Sequence, residues 1–230
     1  MEKVVKLNAQ TAGRDKTARV LQYLSKVIWY KLQKDGKNGV ATFQSLELQL
    51  SSFRKILRFG KCIDTIYSII PLLKYDDPTV KVLAILGKLS NSIFLLADHI
   101  LWIGKSDFYK VDANKWSRIC SQYWLYSIIL SLLRDLHEIL KILRLHKEEI
   151  VPRGLETVPD IINCTYRAVI CLQKYPRVTI DVLKNTCDVF LPLVALGYIK
   201  LSPGTVGTLG TISSIAGLIV VLKPTCKLSP

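Results

Sequence analysis

The 230-residue sequence predicts an all-α fold, a helical membrane-associated protein with amphipathic N-terminal helices and a C-terminal transmembrane helix. Three observations predict it. Apolar residues recur at three- and four-residue steps through most of the chain, the period of one helix face. Residues 201–222, LSPGTVGTLGTISSIAGLIVVL, contain no Asp, Glu, Lys, Arg or His. Half of all residues are hydrophobic while the net charge is +14. A disordered polycation has low apolar content, so this pairing points instead to the surface of an anionic membrane. No nucleic-acid partner is expected, because the basic residues line helices that also carry apolar stripes, and no Cys/His finger spacing is present.

The first helix is expected over residues 14–34. Its stripe is Ala18, Val20, Leu21, Leu24, Val27, Ile28 and Leu32, with Arg19, Gln22, Lys26 and Gln33 elsewhere on the wheel. Trp29, Tyr23 and Tyr30 supply rings that favour a headgroup interface. The glycines of DGKNG end it. A second helix is expected over residues 42–70, with a stripe of Leu46, Leu50, Phe53, Leu57, Gly60 and Ile63 beside a basic cluster of Arg54, Lys55, Arg58 and Lys61. Such a helix suits the membrane plane, its apolar face among acyl chains and its cations at lipid phosphates, and as a wedge in one leaflet it favours curvature. Over residues 1–81 there are 15 Lys and Arg against 7 Asp and Glu, a net of +8 that suits a negatively charged cytosolic leaflet.

Asp77 is read as an N-cap and Pro78 as the first residue of a third helix, which covers residues 80–103. That helix is apolar but carries Lys88, Asn91, Asp98 and His99, costly at a bilayer centre, so it is expected to pack in a bundle or embed shallowly. Asp98 and His99 point about 100° apart on a helix. They read as separately satisfied polar groups rather than an acid–base pair. A fourth helix, residues 116–149, begins with an uncharged stretch at 119–133 that is short for a span, then turns charged, with Arg134 and Glu138 one turn apart.

Residues 151–154, Val-Pro-Arg-Gly, read as a linker, followed by helices at 159–174 and 179–191. Pro192 breaks the apolar run 189–199, which looks like a lead-in to the span. In that span, a helix rising ~1.5 Å per residue reaches across a core of about 30 Å, and Pro203 suits its first turn. Gly207, Gly210, Ser214 and Gly217 step by three, four and three, one face on which small side chains allow another helix to approach, of this chain or of a second copy. Leu209, Ile212, Ile219 and Val220 lie opposite. Four regions result: 1–77, basic, amphipathic and cytosolic; 78–150, a central apolar helix pair, partly embedded; 151–188, linker and helices; and 189–230, anchor and short tail.

Six cysteines are scattered without a CxxC pair, Cys164 and Cys171 sit two turns apart as core residues, and a reducing compartment fits. The three histidines, at 99, 137 and 146, share no metal-ligand spacing. The start, MEKVVKLNAQTAGRDK, has no apolar core of a secretory signal, and the end, KLSP, is not a terminal import tripeptide. No phosphate-loop, HExxH, GxSxG or strand-linked GxGxxG pattern is present, so neither an enzyme nor a cofactor is expected.

Arg14-Asp15-Lys16, the run Arg54 to Gly60 (RKILRFG), the run Asp98 to Lys105 (DHILWIGK), Arg134-Asp135 with Glu138, the run Asn185 to Asp188 (NTCD), and the run Gly207 to Ser214 (GTLGTISS) resemble, in this order, the peroxin-11 family, its animal beta-like branch above all. The short linker near Val151 departs from relatives that carry a longer glycine-rich insertion. The resemblance implies a peroxisomal membrane protein with its N-terminal region in the cytosol, which elongates and tubulates the membrane before fission. It implies self-association into a homo-oligomer, recruitment of tail-anchored fission adaptors and a dynamin-related GTPase, and insertion by the membrane-protein chaperone peroxin-19. Residues 53–67 match the remodelling region, which adds Tyr67 to the membrane-inserting set. The alternative is a channel for small metabolites, with polar residues of the third and fourth helices lining a path.

Overall fold

The computed structural model of the chain describes residue 7 and residues 9–105, 110–145 and 174–223. The linker at 151–154, the helix at 159–174 except its last residue, Cys164, Cys171, Cys226 and His146 lie outside the described residues. Every described element is helical, and no strand occurs among the described residues. We number the helices α1 (Thr11–Lys34), α2 (Val40–Leu57), α3 (Lys61–Tyr67), α4 (Pro78–Lys105), α5 (Ala113–Leu145), α6 (Pro176–Ala195) and α7 (Pro203–Leu222), with a 3-10 turn at Ile70–Lys74.

Several ends follow from local chemistry. Asp77 caps α4, its Oδ1 accepting from the backbone N–H of Thr79 at 3.0 Å and of Val80 at 3.3 Å, and Pro78 opens the helix. Ser202 caps α7 by accepting from Thr205 N–H at 3.1 Å, with Pro203 in the first turn. The expected single helix over residues 42–70 is instead two. Leu57 ends α2, and Gly60, at φ +76°, turns the chain into α3. No atom lies near a Cβ built on Gly60, so the left-handed backbone alone selects glycine there. Its apparent place in an apolar stripe is a coincidence of spacing. Pro192 also differs from expectation: α6 runs through it to Ala195. Proline removes one ladder hydrogen bond, and the helix tolerates this where only one more turn follows and the ring is fully buried.

The helices are arranged in a ring. Walking around it, α2 lies on α1, α1 on α7, α7 on α6, α6 on α5 and α5 on α4, and α4 returns to α2 and α3. The α1–α7 contact is antiparallel and in strict register. A Cβ on Gly204 would lie 2.4 Å from the Tyr30 ring, one on Gly207 2.8 Å from Val27 Cγ2, one on Gly210 2.3 Å from the Tyr23 ring, and one on Gly217 3.3 Å from Lys16 Nζ. The small-residue face thus meets α1, and Ser214 is buried with its hydroxyl donating to Gly210 C=O.

Polarity is distributed unlike a water-soluble bundle. Buried positions include Asp15, Arg19, Arg54, Asp98, Asp135 and Asp188, while large apolar side chains face outward. Val82, Leu86, Leu89, Ile93 and Leu96 form an exposed stripe on α4, and Ile212, Ile215, Ile219 and Leu222 form one on α7. These are also the two helices long and apolar enough to cross a membrane, with window hydropathies of 1.6 and 1.9. Only 28% and 33% of those windows are buried, the reverse of a soluble core helix.

Gly207 is where backbone meets backbone, since its Cβ would also stand 3.1 Å from Val27 N. Gly207→Ala therefore lowers the thermal stability of the detergent-solubilised protein by about 1–3 kcal/mol, as overpacking does. Thr208→Ala, at the exposed neighbouring position, leaves the melting curve within about 0.5 kcal/mol of the parent.

Candidate functional site

Two features are candidates, an outer apolar shoulder and an inner polar chamber. The shoulder is built by α2, α3 and the 3-10 turn. Of the sequence-derived inserting residues, Leu46 is 41% exposed, Phe53 46%, Ile63 69% and Tyr67 74%, while Leu50 and Leu57 are half-buried. Spacing alone missed Ile56, Phe59, Ile66, Ile70 and Leu73, all exposed on the same segment. The kink at Gly60 brings them to the surface, and an unbroken helical wheel does not show it.

The basic cluster beside that stripe is arranged differently from a solvated face. Arg54 is buried, its Nε donating to Asp15 Oδ1 at 3.0 Å and its Nη1 to Gln22 Oε1 at 2.7 Å. Lys55 Nζ lies 3.3 Å from Asp98 Oδ1, and Arg58 Nη2 lies 2.7 Å from Asp98 Oδ2. Only Lys61 of the four is exposed. His99 is satisfied separately, by the Arg58 carbonyl at 2.9 Å, so Asp98 and His99 are served by different partners as their angular separation requires. Trp29, expected at a headgroup interface, donates its Nε1–H to Glu47 Oε2 at 2.7 Å, and Lys26 pairs with Glu47 Oε1 at 2.8 Å.

These contacts belong to a belt that passes from helix to helix inside the ring. Arg19 of α1 places Nη2 2.5 Å and Nη1 3.3 Å from the two oxygens of Asp188 in α6, and the Ser213 hydroxyl of α7 donates to the same carboxylate. Arg134 of α5 reaches Asp135 at 2.9 Å and also bonds Asp181 of α6, rather than extending the one-turn spacing to Glu138. Asn185 donates to Asp135 at 2.7 Å. Burial alone raises the Asp188 carboxyl, but the Arg19 guanidinium and the Ser213 hydroxyl outweigh it and hold the group below its ordinary value. Asp15 behaves alike: burial raises it, and the Arg54 and Arg58 guanidiniums bring it below the usual range. Asp135 goes the other way, raised by burial and by neighbouring Asp181.

The belt borders a partly open chamber of about 590 Å³ with lining residues from α1 to α6. Asn91 and Asp98 of α4 and Ser117, Ser121 and Ser131 of α5 are among its lining. A second, apolar cavity of about 380 Å³ lies between Ile100, Ile103, Val111 and Trp116.

Asp15 and Asp188 ionise below the ordinary carboxylate value when folded, so their stabilisation is complete above that value and is lost as the pH falls through the depressed ones. Melting temperature in micelles is expected to fall steeply below about pH 4. Asp188→Asn shallows that acid limb, and Arg19→Met, which strands the buried carboxylate, costs about 3–5 kcal/mol at neutral pH.

The full chain is 29% identical to human peroxisomal membrane protein 11B, with 100% of each chain covered. It is 30% identical to human peroxisomal membrane protein 11A, with 99% of each covered, and 26% identical to a Dictyostelium discoideum peroxisomal membrane protein 11 homolog, with 94% of this chain and 92% of that one covered. No solved structure matches the chain. The family described as Peroxisomal biogenesis factor 11 matches residues 1–222, which is nearly the whole length and includes both the shoulder and the belt. The chain belongs to the Peroxisomal biogenesis factor 11 (PEX11) family.

Proposed function

We propose that this protein shapes the peroxisomal membrane, elongating and tubulating it ahead of fission, and that it does so without catalysis. The observation that carries the reading is the shoulder: a contiguous set of exposed aromatic and aliphatic side chains around Gly60, at the edge of a bundle whose helices α4 and α7 suit a bilayer. A patch of that kind on a monomer marks a surface that another phase or molecule covers. Held beside anchored helices, Phe53, Phe59, Ile63 and Tyr67 enter one leaflet and expand it, with Leu46, Leu50 and Leu57 at their flank. Lys61 meets lipid phosphates from the bundle as it stands. Arg54, Lys55 and Arg58 reach them only when their pairs with Asp15 and Asp98 open, so insertion and loosening of α2 go together.

The remaining parts of the reading concern context. The N-terminal region faces the cytosol, where tail-anchored adaptors and a dynamin-related GTPase meet it, and peroxin-19 delivers the chain to the membrane. The relatives' names place them in the peroxisomal membrane, and this chain's membership of their family supports the same location. Self-association uses a face other than Gly207, Gly210, Ser214 and Gly217, because α1 covers that one. The outward stripe of α7, Ile212 to Leu222, remains open for a second copy.

A second reading, a metabolite channel, is favoured by one observation, the chamber lined by Asn91 and the α5 serines. Conductance in planar bilayers that Asn91→Leu abolishes supports it.

For the principal reading, full-length protein is reconstituted into vesicles containing anionic lipid and tubules are counted by electron microscopy. Phe53→Glu with Ile63→Glu, both at exposed positions, leaves the fold intact and removes tubulation. Tubules formed equally well by this variant refute insertion by the shoulder.

A further inference from the structure

We propose that the inner chamber is a binding site for a small, multiply charged phosphate-bearing anion, held by cationic side chains of α1, α5 and α6. The proposal rests on the chamber and not on the membrane-shaping reading.

Charge is the first ground. Nine Lys and Arg side chains line the chamber against three carboxylates, Asp15, Asp98 and Asp188. Asp135 and Asp181, which pair with Arg134 and Lys184, add to the carboxylates; with Lys61, which is exposed, and Lys88, which donates to Ser68, set aside, seven cations meet five carboxylates, an excess of two. Buried cations are ordinarily matched one to one, since an uncompensated charge in a medium of low polarity is costly. An excess of two gathered around one space is the arrangement expected of a site whose counter-charge comes from a ligand.

Unmet donors are the second ground. The Nε–H groups of Arg19 and Arg134 are buried and have no hydrogen-bond partner among the described residues. Lys16 has no carboxylate within ion-pair distance among the described residues; Asp15 and Asp188, its acidic neighbours, are engaged by Arg54 and Arg19. Its ammonium packs over Gly217 of α7. Burial first, then repulsion from Arg19 and Lys184, pushes Lys16 down to about 7. A bound anion reverses that balance.

Size and geometry narrow the class. About 590 Å³ falls in the range of small-molecule pockets, about 300–1,000 Å³. Arginine forks with lysine point charges converging from several directions suit tetrahedral phosphate oxygens better than a single planar carboxylate. The phosphate belongs either to a free phosphorylated solute or to a lipid headgroup, and the two are separable by experiment.

Full-length protein in a zwitterionic detergent is titrated with sodium pyrophosphate and, at matched ionic strength, with sodium chloride. Saturable heat and a rise in melting temperature are expected with pyrophosphate alone. Lys16→Met and Lys184→Gln each weaken pyrophosphate binding at least tenfold, whereas Lys37→Met, on the exposed turn after α1, leaves it unchanged. Lys16→Met also melts no lower than the parent without pyrophosphate, because it deletes an unpaired cation, and this separates loss of binding from loss of fold. A short-chain phosphatidylinositol phosphate that displaces pyrophosphate at lower concentration assigns the site to a headgroup; failure to displace assigns it to a free solute, and both support the site. A response to pyrophosphate no greater than to chloride, or unchanged affinity in the folded Lys16→Met and Lys184→Gln variants, overturns the proposal.

Discussion

The structure depends on buried ion pairing between helices far apart in sequence. Asp188 of α6 receives Arg19 from α1 and Ser213 from α7. Asp15 of α1 receives Arg54 from α2, and Arg58 stands 3.9 Å from Asp15 and 2.7 Å from Asp98 of α4. Asp135 of α5 is tied to Asn185 of α6. Most links join neighbours in the ring, and Arg19–Asp188 reaches from α1 past α7 to α6, so the belt connects α4, α2, α1, α7, α6 and α5. Between α4 and α5, where the ring closes, packing takes over, with Phe94 and Trp124 stacked at 5.8 Å between centroids. In a bilayer, lipid tails are as apolar as leucine, so hydrophobicity gives helices no reason to prefer one another. Polar contacts and close backbone approach must then supply the association, and this bundle places both inside.

That inversion explains which features the sequence discloses. Helix positions, the Asp77 cap, Pro78 and Pro203 in first turns, and the small face of α7 are local, set by residues within a turn of each other, and they are legible. Periodicity also separates an apolar from a polar face on α1 and α2. It does not say which face points inward. For a helix in water the polar face is outside; for one in a membrane-associated ring, Arg19, Gln22 and Arg54 turn to the interior and Leu21, Leu24 and Ile28 turn out. The partners that decide this are 169 residues apart for Arg19 and Asp188 and 39 apart for Arg54 and Asp15, beyond any reading of spacing. The chamber was illegible for the same reason, since its lining is gathered from six helices. Gly60 was legible as a glycine but not as a break, because three- and four-residue spacing counts a small residue in a stripe as readily as a turn.

The inner belt and the outer shoulder share the segment from Arg54 to Lys61. Arg54, Lys55 and Arg58 alternate with Phe53, Ile56 and Phe59, so one face is fastened to Asp15 and Asp98 while the other is exposed. Burying the exposed face in lipid and keeping the pairs closed are compatible only if α2 stays seated. A field of anionic headgroups at the proposed membrane surface would compete with Asp15 and Asp98 for the same cations, most strongly where screening is least. On the proposed reading, anionic lipid would act on the stability of the ring as well as on the affinity of the shoulder, coupling a surface event to the interior.

Ion pairs do more here than hold helices together; they choose among registers that small residues leave nearly equivalent. Gly204, Gly207, Gly210, Ser214 and Gly217 repeat at three or four residues, so sliding α7 by one turn along α1 would again bring small side chains opposite Tyr23 and Val27. Close packing alone therefore distinguishes the two registers weakly. The same slide carries Ser213 about 5.4 Å away from Asp188, leaving a buried carboxylate short of a donor. A buried pair of charges often contributes little net stability compared with apolar packing, but its directional demand makes the alternative register costly. Asp188 is thus the point at which the sequence selects one ring among several that its small residues permit.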